Sequence, residues 1–292
     1  MSFRYAAYTV MTPELTIEQT ASMLEELGYN GVEWRVHSVP KLNSDKTDFF
    51  LANKATIDLN EIKDKARYVK ELSQSHNLEI LCLGTYLNYK MTDEIEECML
   101  AANIMGAPNI RVATPGYDGT VNYNDLVVDA ISGFIKVAEL AEKYKVRAVV
   151  ELHRNNICYN ASTAYRFMSS FDPDQVGVIM DPANLMAGGS FNWQMGFEIL
   201  GPYLAYLHVK NNKWVVDSVS DDGEVSYKIS RASLKEGIVS WRDVLIALNN
   251  VGYNGWLSLE DFSEGDTKTK LKDNLAYLKS IEHALGIDFD IL

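Results

Sequence analysis

The chain alternates short β-branched or aromatic runs with longer stretches whose apolar residues recur at helical spacing. FRYAAYTV (3–10) precedes TIEQTASMLEELG (16–28), in which Ile17, Met23, Leu24 and Leu27 share one face before a C-terminal Gly28. The same couplet then repeats. Strand-like GVEWRV (31–36), LEILCLGT (78–85), NIRVAT (109–114), VRAVVELH (146–153), VGVIMD (176–181), YLAYLHVK (203–210) and WLSLED (256–261) are each followed by a helical pattern. Those helices are expected near 58–76, 93–105, 123–144, 161–170, 192–200, 240–251 and 268–285. Strands separated by helical crossovers predict a parallel sheet. Eight such units in 292 residues predict one α/β domain over 1–292, a single (β/α)8 TIM barrel. An open doubly wound sheet is the competing architecture, but it uses fewer units. Two insertions, near 36–57 and 211–239, follow the second and seventh strands and belong on the C-terminal rim, where barrel active sites form. The second carries an Asp222-Gly223 pair suited to a hairpin turn.

Four strand ends carry the chemistry. Glu151 closes VVELH, Asp181 closes VIMD, His208 lies in YLHVK and Glu260 in LSLED. The first three stand one βα repeat apart; the fourth follows after one repeat plus the second insertion. Taken singly, each has a plain structural explanation: a salt bridge for Glu151 or Glu260, a turn cap at Pro182 for Asp181, a core hydrogen bond for His208. Taken together, at matching ends of consecutive strands, three carboxylates and an imidazole would repel unless a cation joined them. Oxygen ligands with one imidazole suit a single divalent ion such as Mn²⁺, Mg²⁺, Co²⁺ or Zn²⁺, and the lack of thiolates disfavours a structural zinc site.

Strand alternation extends the list, since residues two apart face the same side. His153 accompanies Glu151, and Lys210 accompanies His208. Glu33, Arg35 and His37 share a face, and Arg111 lies near the fourth strand's end. They suggest a polar pocket for a hydroxylated substrate, with Lys210, Arg111 or Arg35 available to a carbonyl or phosphate; Glu33 and Arg35 pairing with each other is the simpler reading. Among aromatics beside these loops (Trp34, Tyr86, Tyr117, Trp193, Trp214), Trp34 and Trp214 are the candidates to stack on a sugar ring.

Composition narrows the partners. With 27 basic and 40 acidic residues the formal charge is −13, which repels nucleic acid and anionic lipid. Hydrophobic residues make up 47%, enough for a large core. Cys82, Cys98 and Cys158 form no CxxC and are odd in number, as expected of reduced thiols in a cytoplasmic protein. No run suits a signal peptide or a membrane span. Aromatic rim loops leave a homo-oligomer open.

The glutamate at the fifth strand end, DPAN at the sixth, HVKN at the seventh and SLED at the eighth resemble the sugar phosphate isomerase/epimerase superfamily, the xylose-isomerase-like barrels. LEELGYNGVEWR, NIRVATPG and SWRDVLIALNNVGYNGWLSLE carry the likeness over nearly the whole chain. The resemblance implies metal ligation by Glu151, Asp181, His208 and Glu260. It also implies proton transfer by Glu151 and Glu260 through a metal-stabilised enediolate. Two positions depart from many epimerases: Asn184 replaces a histidine and Asn211 an aspartate. That favours one metal over two and leaves Asn184 as a substrate contact. The expected function is a divalent-metal-dependent isomerase or epimerase of a sugar, sugar phosphate or keto-polyol. The runner-up is an inosose- or dehydroshikimate-type dehydratase on the same platform. A binding barrel without turnover would have lost a ligand, and none is missing; a three-zinc nuclease would need more than five histidines and a less acidic chain.

Overall fold

The computed structural model describes residues 3–39, 47–189 and 191–287. In chain order the elements are β1 (Arg4–Tyr8), α1 (Ile17–Leu27), β2 (Gly31–His37), a short β3 (Ile57–Asp58), α2 (Ile62–Ser75), β4 (Glu79–Gly84), α3 (Thr92–Met105), β5 (Asn109–Arg111), α4 (Tyr123–Tyr144) and β6 (Arg147–Glu151). There follow α5 (Ala161–Met168), β7 (Val176–Met180), α6 (Pro182–Met186), α7 (Trp193–Leu200), β8 (Leu204–Val209), β9 (Asn211–Val219), β10 (Val225–Ala232), α8 (Trp241–Asn250), β11 (Trp256–Leu259) and α9 (Thr267–Ala284).

Eight parallel strands run β1-β2-β4-β5-β6-β7-β8-β11, and β11 pairs back onto β1 through Arg4–Trp256 to Ala7–Leu259, closing the ring. Helix ends follow local chemistry. Thr16 and Gln19 form a reciprocal capping box at α1, and Gly28 stops that helix at φ +80°. On α4 the buried positions Val127, Ala130, Phe134, Val137, Ala138 and Ala141 keep helical spacing, so one face packs on the barrel.

Alternation divides each strand between two layers. Ala7, Val32, Trp34, Val36, Val150, Val178, Leu207, Val209, Leu257 and Leu259 belong to the large core between strands and helices. Ala6, Leu81, Cys82, Val149, Ile179 and Tyr206 form a small separate cluster inside the barrel. Above that plug the inward positions become polar. Tyr8, Glu33, Glu151, Asp181, His208, Ser258 and Glu260 continue the inward series.

Both insertions stand beyond strand C-termini. β3 pairs with the end of β2 (Val36 with Ile57), and Asp48 ties its loop by accepting the backbone N–H groups of Phe50, Leu51 and Ala52. Part of this insertion, residues 40–46, falls outside the described residues. The second insertion is the antiparallel hairpin β9–β10, turning at Asp222-Gly223 with Gly223 at φ +86°. No helix among the described residues is long and apolar enough to cross a membrane.

Candidate metal centre

Four successive barrel strands deliver the four predicted ligands to one point. Glu151 ends β6, Asp181 follows β7, His208 lies in β8 and Glu260 follows β11. Each offers one ligand atom, and these atoms lie within 4.8 Å of one another. His208 Nδ1 is 3.5 Å from Glu151 Oε1 and 3.8 Å from Glu260 Oε2. Register helps to aim them: the Glu260 backbone N–H donates to Val209 O at 2.9 Å, locking the end of β11 beside β8.

The plain structural roles and the ligand roles coexist, because each side chain has two polar ends. Asp181 caps α6, its Oδ1 accepting the Asn184 N–H at 3.0 Å, while Oδ2 faces the cluster. His208 turns Nε2 to Glu33 at 3.1 Å and Nδ1 to the cluster. Both inward-facing atoms, Asp181 Oδ2 and His208 Nδ1, are buried without a hydrogen-bond partner among the described residues. Lys210 Nζ approaches Asp181 Oδ2 at 2.6 Å, yet off the direction a hydrogen bond requires, so that contact is an ion pair only. An oxygen of Asp181 and a nitrogen of His208 turned into a cluster with two further carboxylates fit a divalent cation: oxygen with one imidazole nitrogen is a donor set for such an ion.

Electrostatics agree with the geometry. Burial opposes a charged His208, but the carboxylates of Glu33, Glu260 and Glu151 outweigh it and hold the imidazole well above its usual range. Burial likewise opposes ionised Glu151; His208, Arg111 and Lys210 more than offset this and hold it well below the usual carboxylate range. Asp181 goes the other way, pushed up to about 6, chiefly by burial.

The remaining predicted residues divide. Arg111 donates to Glu151 Oε2 at 2.9 Å and to Thr85 O at 2.9 Å, so it braces that carboxylate. Asn184 Nδ2 donates to Glu151 Oε1 at 3.2 Å and to Leu152 O at 3.2 Å, a second brace on the same carboxylate. His153 and Lys210 line a cavity of about 380 Å³ over the cluster, with Arg111, Glu151 and Glu260. Arg35 lies over Tyr86, bonded to Thr56 and Phe50 O, and His37 tilts against Tyr86 with ring centres 5.0 Å apart.

Three expectations are corrected. Glu33 is not a pocket residue: it is fully buried beneath the cluster, where it also accepts Tyr206 Oη–H (2.8 Å) and Ser258 Oγ–H (2.7 Å). Trp34 points away from the pocket, since it alternates with Glu33 and Arg35. It is fully buried in the outer core, where Nε1 donates to Ser73 Oγ of α2 at 3.1 Å. Trp214 stands 45% exposed on β9 and does not line the cavity. Asn211 clamps the hairpin base, donating to Leu234 O and Val239 O. Of the aromatic candidates only Tyr86 lines the cavity; Phe50 and Phe262, unmarked in the sequence, form its walls, with ring centres 5.4 Å apart. Tyr206 and Ser258 were findable, because each stands two residues before a ligand on an inward face.

The model of the xylose isomerase-like TIM barrel family matches residues 22–281. A 3-keto-D-glucoside 4-epimerase, YcjR, from E. coli superposes with a TM-score of 0.72 at 14% identity, over 96% of this chain and 100% of that one. A probable 3-DHS dehydratase, AsbF, from Bacillus anthracis gives 0.73 at 15% identity over 95% and 99%. The IOLI protein with a bound zinc atom gives 0.71 at 16% identity over 99% and 100%. At these identities the likeness shows the fold. No curated protein matches the chain by sequence. With nearly its whole length matched and the barrel closed, the chain belongs to the xylose isomerase-like TIM barrel family.

Proposed function

We propose that this protein is a divalent-metal-dependent isomerase or epimerase of a small sugar, sugar phosphate or keto-polyol. One observation carries the reading: Glu151, Asp181, His208 and Glu260 bring four ligand atoms within 4.8 Å of one another, and two of them, Glu151 and Glu260, line a cavity. Of the relatives in fold, the E. coli protein is a 3-keto-D-glucoside 4-epimerase, and another is a D-psicose 3-epimerase solved in the presence of D-fructose (12% identity, TM-score 0.70, 96% and 99% covered).

A divalent ion held by these four would polarise a substrate carbonyl and a neighbouring hydroxyl. Glu151 and Glu260 stand on strands separated by β7 and β8, so a substrate between them meets a carboxylate from either side. One takes the proton from the carbon beside the carbonyl. The other returns a proton on the opposite face for epimerisation, or at the next carbon for isomerisation. Arg111 and Asn184 hold Glu151 by separate oxygens, which keeps its reach constant. Phe50, Phe262 and Tyr86 offer ring faces to C–H surfaces and exclude water, while Lys210 and His153 remain for hydroxyl, carbonyl or phosphate oxygens. At about 380 Å³ the cavity falls in the range of small-molecule sites.

The test is a panel of ketoses, inososes and their phosphates, with Mn²⁺ in heavy water, followed by NMR. Deuterium should enter beside the carbonyl as a second isomer appears. Glu260→Gln should abolish that exchange with the fold intact. Water loss without an isomer, or no exchange from any of the panel, would overturn the reading.

A further inference from the structure

We propose that Glu33 is a positioning residue for the metal centre: it dictates which nitrogen of His208 faces the other three ligands. The inference rests on the metal-dependent reading above. Glu33 comes from β2 and reaches across the barrel interior to β8, 175 residues away in sequence, with no exposed surface. A carboxylate is acceptor-only when ionised, so the ring nitrogen beside it, Nε2, is the one that carries hydrogen. Nδ1 is left as the nitrogen aimed at Glu151 and Glu260.

Three contacts resist any other arrangement. Tyr206 and Ser258 donate to Glu33 at 2.8 and 2.7 Å, so turning the carboxylate would strand two hydroxyls in a dry interior. Tyr8 stacks on the His208 ring with centres 5.6 Å apart and planes 14° from parallel, which leaves a ring flip little room. A flip would also put carbon where Nδ1 and Nε2 now stand. Tyr206 donates to Oε1 and Ser258 to Oε2, so an amide, with one oxygen, would keep only one of these acceptors. With both oxygens accepting, a carboxylate takes the two hydroxyls and the imidazole N–H at once, the arrangement that orients a histidine toward a cation on its other side.

The experiment titrates chelator-stripped full-length protein with Mn²⁺ alone. It runs alongside ¹⁵N NMR of the histidine rings and thermal denaturation. Glu33→Gln keeps the shape and removes the charge; it should weaken Mn²⁺ binding about 10- to 100-fold. In the metal-free protein the Nε2–H signal of His208 should lose its protection from solvent exchange. Should Glu33→Gln not fold, Tyr206→Phe carries the test, loosening the carboxylate and weakening Mn²⁺ severalfold. Wild-type affinity and an unchanged Nε2–H signal in the folded variant, even with a lowered melting temperature, would make Glu33 merely structural and overturn the inference alone. A wild-type protein that takes up no Mn²⁺ would overturn the metal reading and this inference with it.

Discussion

Lys210 Nζ lies 2.6 Å from Asp181 Oδ2, a cation whose side chain is 11% exposed set against a fully buried carboxylate. The same ammonium is 2.7 Å from Glu260 Oε2 and 4.0 Å from Glu151 Oε1, so one lysine faces all three carboxylates of the cluster. Burial works against its charge, but Asp181, Glu260 and Glu151 outweigh that and raise its pKa.

Replacing Lys210 with Met should therefore hurt the metal-free protein most. Removing one partner of a buried ion pair leaves uncompensated charge, which costs about 3–5 kcal/mol. Urea unfolding with chelator present should show a loss of that order. With Mn²⁺ present the loss should shrink, because a divalent ion offsets the same carboxylates. An equal loss under both conditions would separate Lys210 from the ligand cluster.

Metal uptake should depend on pH in two stages. Asp181 is pushed up to about 6 from an ordinary 3.8, so the folded metal-free protein holds a proton there that the unfolded chain has released. Its contribution to folding is full below pH 3.8 and is lost as pH rises through about 6. A metal needs the ionised carboxylate and an unprotonated His208 Nδ1, and His208 is held well above the usual range. As pH is lowered, affinity should fall about tenfold per unit above pH 6, where the His208 proton must be displaced, and more steeply below it, where Asp181 must release one as well. Calorimetry in buffers of different ionisation enthalpy counts the protons released. A flat profile between pH 5 and 7 would contradict the assignment.

Gly84→Ala should damage the site from below. A Cβ there would stand 2.5 Å from the Tyr8 ring, which is fully buried, donates its hydroxyl to Gly84 O at 3.1 Å and stacks on His208. Overpacking of this kind costs about 1–3 kcal/mol. Displaced Tyr8 should disturb His208, so thermal denaturation and Mn²⁺ titration should both move. A variant with wild-type values in both would show that Tyr8 has room to yield.

The cluster of Glu151, Asp181, His208 and Glu260 was legible because each interrupts an apolar strand at its end, and the fold because period-two and 3.6-residue patterns alternate so regularly. Trp34 was misread where the same rule spoke clearly: alternation with Glu33 and Arg35 sends it outward into the layer against α2. Phe50 and Phe262 carry no local signal, since their loops come from β2 and β11, and only folding brings the rings 5.4 Å apart.

By itself the sequence determined the elements, the inward or outward face of each strand residue, and the four side chains offered to a cation. These are properties of neighbouring residues along one backbone, so they can be read in order. Tertiary structure alone decided that Glu33 meets His208 and Ser258 across 175 and 225 residues of chain. It also decided which end of His208 faces the ligands. Those outcomes depend on how eight tilted strands share one interior, and no local spacing encodes that.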